Sequence, residues 1–226
     1  MRKIQFAEKE FYHVYNRGVD KRTIFYDKED YDRFRGYLYL LNDVENLRVT
    51  NFFVKSRAAD LFKNARGEQL VSIGAYCLMP NHFHILLTPL IEGGVSKFMQ
   101  RLQTAYVMYF NEKRKRSGSL FEGTFKARHA DTDEHLKYLF AYIHLNPSQL
   151  FNKDWENSDK DEILNYFSKV ENYEYSSISE YITKKIVITD PKSFPSYFNE
   201  AKERREHLKY WFKYKNNFST DTEMLY

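Results

Sequence analysis

Apolar residues alternate with polar ones over several short stretches, as is typical of strands, and recur every three or four residues over longer ones, as is typical of helices. Residues 11–18 alternate and end in a glycine, which predicts a first strand. Residues 27–44 have the helical spacing and predict a first helix. The same patterns predict strands at 47–55, 70–78, 82–88 and 120–129, and helices at 97–113, with Ser96 as cap, and at 132–145.

The order of these elements indicates the fold class. Asp131 and Glu134 resemble a capping box at the start of the last helix, and Pro147 disfavours helical geometry at Asn146 and so ends it. The order β-α-β-β-β-α-β-α predicts an α+β protein with helices packed on an antiparallel sheet, the ferredoxin-like class. A polar and acidic stretch follows at 152–161. We therefore expect a core domain at 1–150 and a C-terminal extension, irregular and helical, at 151–226.

Composition narrows the class of protein only modestly. The chain has 226 residues and a formal net charge of +4, which permits a polyanionic partner without demonstrating one. The single cysteine, Cys77, excludes an internal disulfide and favours a reducing compartment. No leader pattern and no apolar stretch of membrane-spanning length is evident, so we expect a cytoplasmic protein with no membrane partner. Aromatic residues make up 18%, which suits stacking on bases but equally suits an AT-rich coding sequence.

Two histidines on one predicted strand are candidate metal ligands. His82 and His84 are two positions apart, so they share a face of the strand with their Cα atoms roughly 7 Å apart. On the last predicted helix, Tyr142 and Asn146 are four positions apart and also share a face. Two imidazoles and an amide oxygen would leave about half of an octahedral shell open for water and substrate. Such a set suits Mn²⁺ well and Mg²⁺ less well, and we keep both ions open.

A tyrosine beside such a metal is suited to attack a phosphodiester through its phenol oxygen. A free tyrosine has a pKa near 10 and is a poor nucleophile unless a cation is close. The cation would also orient the phosphate and offset the charge that develops on it. Tyr142 would then form a covalent phosphotyrosine, which conserves the bond energy and allows a later hydroxyl to reverse the step.

Five short motifs in this order resemble the HUH single-tyrosine transposases, and in particular the REP-associated tyrosine transposases. They are HVYNRG at 13–18, MPNHFH at 79–84, LFEG at 120–123, YIHLNP at 142–147 and YSS at 175–177. The resemblance covers about residues 11–182 and implies an HUH nuclease core. It implies His82, His84 and Asn146 as metal ligands and Tyr142 as nucleophile. Insertion-sequence relatives usually have Gln in place of Asn146, and the alternative role of this residue is to end the helix.

The resemblance also implies an activity and a substrate. The activity would be cleavage and rejoining of single-stranded DNA beside hairpins, through a 5′-phosphotyrosine, with no nucleotide cofactor and in a monomer or a homodimer. One alternative is a domesticated regulator that binds hairpins without cleaving them, and another is a relaxase or rolling-circle initiator. The candidate DNA-binding residues are all basic and form a possible phosphate rim: Arg17, Arg101, Lys113, Arg114, Lys115, Arg116, Lys126 and Arg128.

Three other residues have no firm role in the sequence. His13 and Asn16 lie on the strand expected beside the histidine strand, and each could contact DNA bases or assist the site. His144 is two positions from Tyr142, so it points to another side of the helix. It is expected to be structural or to face DNA rather than to bind the metal.

Overall fold

A computed structural model describes residues 4–45, 62–63, 66–151, 160–196, 206–208 and 210. The strand predicted at 47–55 lies outside these residues, and so does most of the polar stretch at 152–161. Within the described part, no helix is both long enough and apolar enough to cross a bilayer.

Among the described residues, a four-stranded antiparallel sheet forms the centre of the fold. Its strands are β1 (Phe11–Arg17), β2 (Val71–Met79), β3 (His82–Pro89) and β4 (Lys126–Ala130), in the spatial order β2-β3-β1-β4. Helix α1 (Lys28–Leu40) connects β1 to β2, and helix α2 (Gly94–Lys113) connects β3 to β4. This is the split β-α-β arrangement of the ferredoxin-like class. The α+β prediction is therefore confirmed.

The two faces of the sheet are covered by different helices. Phe83, Ile85 and Leu87 of β3 belong to the same buried cluster as residues of α1 and α2. Leu86 points to the other face and packs in a second cluster with residues of α3 (Asp133–Leu145). Because side chains alternate along a strand, His82 and His84 share the α3 face with Leu86. The sheet thus places the two histidines under α3.

Two helices begin at residues other than the predicted ones. Helix α2 begins at Gly94, after Gly93 in the left-handed conformation with φ 68°, so Ser96 lies inside the first turn rather than at the cap. Helix α3 is capped by Thr132, whose side chain accepts a hydrogen bond from the backbone of His135. Asp131 instead contacts the His135 side chain at 3.0 Å. The hydroxyl therefore takes the capping role that the sequence pattern assigned to the carboxylate.

Strand β4 is also shorter than predicted, because residues 120–125 form a bent connection along the end of β1. The backbone N–H of Val19 donates to Leu120 O at 3.0 Å, and that of Glu122 donates to Arg17 O at 2.9 Å. Gly123, with φ 72°, takes the conformation that the bend requires. This connection carries Glu122 to the end of β1 that faces the histidines.

Helix α4 (Ser148–Phe151) spans the predicted boundary, and the C-terminal extension continues with α5 (Lys160–Glu171) and α6 (Ile178–Thr183). Part of it runs along the outer edge of β2, where Leu78 N–H donates to Tyr175 O and Ser177 N–H donates to Tyr76 O, both at 2.9 Å. These bonds occupy an edge strand that would otherwise be open. The YSS motif is therefore a structural part of the sheet. The domain boundary near residue 150 stays a prediction.

Candidate active site

The first half of the candidate site is a row of imidazoles on β1 and β3, of which His13 and His84 are buried and His82 is partly exposed. His82 and His84 have ring centroids 4.9 Å apart and nearly perpendicular planes. His13 on β1 is fully buried, and its Nε2 lies 2.8 Å from Nδ1 of His84. On the other side, Nδ1 of His82 lies 2.6 Å from Oδ1 of Asn81. Each candidate ligand therefore has one ring nitrogen held by a neighbour and the other, Nε2, left for a further partner.

Helix α3 supplies the second half of the site. The ring of Tyr142 stands edge-on to that of His84, with 5.4 Å between centroids. Asn146 caps the C-terminus of α3, and its Oδ1 lies 3.3 Å from Nε2 of His82. The helix can lie this close because β2 presents the small side chains Ala75 and Cys77 to it. The structure thus brings all four sequence-predicted residues to one place, with Tyr142 itself only 5% exposed.

Burial keeps the histidines neutral. It lowers the pKa of His82 from 6.5 to about 4, although a hydrogen bond that the protonated ring can donate to Asn146 raises the pKa in part. Burial also lowers the pKa of His84 well below 6.5, with further lowering by His82 and His13. The pKa of His13 falls to about 3, mainly through burial and also through Arg128. Because these pKa values are lowered, all three rings are uncharged at neutral pH. Neutral imidazole is also the form that binds metals.

The donor atoms fit a divalent cation. Nε2 of His84 is buried and has no hydrogen-bond partner among the described residues. Two imidazole nitrogens and one amide oxygen are ligands that Mn²⁺ accepts. The described residues contain no group of three or more His, Cys, Asp or Glu side chains suited to a metal, so a third protein ligand beside the two histidines would be the Asn146 amide.

Three of the predicted DNA-binding residues share the histidine face of the sheet. Arg17 is opposite His82 in the β1–β3 register. On β4, Lys126 is opposite Tyr15 and Arg128 is opposite His13. Directly opposed residues of an antiparallel pair point to the same face. These three cations therefore border the site, although Arg17 is engaged by Glu122 in an ion pair of 2.6 Å.

The remaining basic residues belong to the helical layer on the opposite face. Arg101 donates to the backbone carbonyls of Asp43, Val44 and Glu45. Lys113 and Arg114 both pair with the fully buried Asp30. Arg116 donates to Asn111 and Ser119, and Lys115 is exposed. The structure does not bring this group to the histidines, and its role in DNA binding stays a prediction.

The sequence carries little signal for two polar contacts of the site, Asn81 with His82 and His13 with His84. Asn81 directly precedes His82, and this adjacency was the only signal for its contact. His13 was placed near the site, but its pairing with His84 spans 71 positions and depends on the β1–β3 register.

His144 is buried, and it donates to Phe140 O at 2.9 Å and accepts from Ser177 Oγ at 2.8 Å. This agrees with the structural alternative for His144.

A strand with two inward histidines, under a helix that carries a tyrosine and an amide, is the arrangement that the motif resemblance implies. Residues 45–146 match the family of IS200-like transposases. The resemblance inferred from the sequence motifs is thereby confirmed.

The matched segment contains both histidines, Tyr142 and Asn146, and covers a little under half of the chain. Among solved structures, the chain is similar to a REP-associated tyrosine transposase bound to a REP hairpin. The two sequences are 11% identical, and the superposition has a TM-score of 0.47 and covers 86% of this chain and 90% of the other. A search of the curated proteins found no match.

Proposed function

We propose that this protein cleaves and rejoins single-stranded DNA at hairpin sites, with Tyr142 as the nucleophile and a metal held by His82, His84 and Asn146. The observation that carries the proposal is the convergence of these four residues from β3 and α3. The IS200-like match supports the reaction class, and the motif resemblance supports the hairpin substrate. A bound Mn²⁺ or Mg²⁺ would polarise the scissile phosphate and offset its developing charge.

The residues of the chain account for the rest of the step. The Tyr142 phenol gives its proton to water, and its oxygen forms a bond to phosphorus as the bond from phosphorus to the 3′ oxygen breaks. The 3′ oxygen takes up a proton from water and leaves as a free hydroxyl, and the DNA on the 3′ side remains joined to the protein as a 5′-phosphotyrosine. Lys126 and Arg128, on the same face as the histidines, would hold neighbouring phosphates.

A labelled hairpin oligonucleotide with a single-stranded flank tests this proposal. With Mn²⁺ present, a 3′-end label should migrate with the protein in a denaturing gel, and a 5′-end label should appear on a released fragment. Tyr142→Phe should abolish the adduct. The matched control is Tyr138→Phe, one turn earlier on α3 and with its ring stacked 6.0 Å from that of Tyr142. An adduct that survives Tyr142→Phe would refute the assigned nucleophile.

The arrangement also supports action within one chain. Tyr142 lies against His84 of the same molecule, so no second copy is needed to bring nucleophile and histidine together. A mixture of His84→Ala and Tyr142→Phe proteins should therefore form no adduct. Recovery of the adduct in the mixture would show instead that the tyrosine of one protomer serves the histidines of another.

One observation favours a second candidate function, the hairpin-binding regulator that does not cleave. Tyr142 is only 5% exposed, so a phosphodiester can reach it only if α3 or the side chains around it shift. Metal dependence separates the two candidates. Hairpin affinity that EDTA leaves unchanged, together with no cleavage in Mn²⁺, would favour the regulator. Metal-dependent adduct formation would exclude it.

A further inference from the structure

Each histidine of the candidate metal site has a dedicated partner on its Nδ1 nitrogen. A neutral imidazole carries one proton, on either Nδ1 or Nε2, and only the nitrogen without the proton can bind a metal. The neighbour that contacts Nδ1 therefore decides whether Nε2 is available. In metal sites such outer contacts fix the ring orientation and tautomer of the ligand.

At His82 the proton position follows from the hydrogen bonds of Asn81. The Asn81 Nδ2 group donates to Lys21 O at 3.2 Å, which sets the orientation of the amide. Its Oδ1 then faces Nδ1 of His82 at 2.6 Å and can only accept. His82 must donate from Nδ1, so Nε2 has a free lone pair. Nε2 lies 3.3 Å from Oδ1 of Asn146, and in this tautomer both atoms are acceptors that one cation can bind together.

At His84 the partner is His13. One proton lies between Nε2 of His13 and Nδ1 of His84, which are 2.8 Å apart. If the proton belongs to His84, its buried Nε2 is a free lone pair. If it belongs to His13, Nε2 of His84 carries a proton that has no acceptor among the described residues. A cation at Nε2 is compatible only with the first arrangement, in which His13 is the acceptor.

The burial of His13 indicates that its contact with His84 is functional rather than a consequence of packing. His13 is fully buried, and its Nδ1 has no partner among the described residues. Leaving a buried polar atom unsatisfied is unfavourable, because the atom loses its hydrogen bonds to water. A phenylalanine would fill a similar volume beside the Tyr142 ring, 6.0 Å away, without that cost. A histidine at this position is therefore explained by the hydrogen bond between its Nε2 and Nδ1 of His84.

We infer that His13 and Asn81 are positioning residues that hold both histidine ligands in the Nδ1–H tautomer, so that their Nε2 atoms bind the same cation. The inference rests on the proposed function, because it needs the metal site. His13 and Asn81 contact neither substrate nor metal, and they act through His84 and His82.

Binding of Mn²⁺ alone to the full chain tests the inference, with the free ion measured by electron paramagnetic resonance. His13→Phe keeps a ring but removes the acceptor, and it should weaken Mn²⁺ binding about 10–100-fold. His13→Gln restores an acceptor oxygen and should recover most of the affinity. Asn81→Ala and Asn81→Asp form the equivalent pair for His82. Circular dichroism melting shows whether each variant is folded.

Each outcome has a distinct meaning. If His13→Phe binds Mn²⁺ as tightly as wild type, or if His13→Gln is as weak as His13→Phe, the positioning role is wrong although the metal site stands. If the wild-type chain binds no Mn²⁺, both the proposed metal site and this inference fail.

A second measurement needs no variant. Long-range ¹H–¹⁵N spectra of the wild-type protein with Mg²⁺ should show the proton on Nδ1 for both His82 and His84. A proton on Nε2 of either ring would overturn the inference.

Discussion

The buried histidines predict that acid destabilises the protein and that His82 accounts for a measurable part of the effect. In the unfolded chain a histidine has a pKa near 6.5, whereas burial lowers the pKa of His82 to about 4. Between these values the unfolded state binds a proton that the folded state does not. The free energy of unfolding therefore falls as the pH falls through this window. At about 1.4 kcal/mol per pH unit, His82 alone should remove about 2 kcal/mol between pH 6.5 and pH 5.

Urea unfolding in EDTA, followed by circular dichroism at pH 6.5 and pH 5, measures this effect. His82→Asn removes the titrating group, so the variant should lose about 2 kcal/mol less than wild type between the two pH values. Ile85→Val is the matched control on the same strand, because it should cost about 0.5–1.5 kcal/mol at both pH values and leave their difference unchanged. Equal acid sensitivity in His82→Asn and wild type would refute the assignment of a lowered pKa to His82.

Three further substitutions follow from the contacts described. Lys126→Gln should weaken binding of single-stranded DNA and reduce the slope of log affinity against log salt by about 0.7, as measured by fluorescence anisotropy. Arg114→Gln should lower the free energy of unfolding by about 1–3 kcal/mol, because it removes an ion pair to buried Asp30. Gly74→Ala should lower the same free energy by about 1–3 kcal/mol in urea unfolding, because its Cβ would lie 2.5 Å from the Phe194 ring.

Much of the core could be predicted from the chain because its signals are local. The alternation around His82 and His84 determines which side chains share a face, and in the observed β3 the alternate residues belong to two different buried clusters. The spacing of Tyr142 and Asn146 likewise places both on one side of α3, whichever residue caps the helix. Local periodicity is sufficient for such statements because a strand and a helix each repeat with a fixed geometry.

The interactions that could not be predicted join distant parts of the chain. The basic run at 113–116 is predicted to contact DNA, and in the structure Lys113 and Arg114 also pair with Asp30, more than eighty positions earlier. The predicted strand order places His13 beside the histidine strand, but its contact with His84 depends on the β1–β3 register. A single sequence contains the residues of both contacts but no record of strand register or helix docking.

The two roles considered for Asn146, metal ligand and end of the helix, are compatible in the structure. The sequence left open whether it is a metal ligand, since a longer Gln is usual in insertion-sequence relatives, or the end of the helix before Pro147. In the structure Asn146 is the C-terminal cap of α3, and from that position its short amide lies 3.3 Å from His82. The helix end therefore comes close enough to β3 that the extra methylene of Gln is not needed. Asn146 keeps helical backbone angles, with φ −52° and ψ −38°, so its side chain stays on the face of α3 that carries Tyr142 and lies beside the histidines.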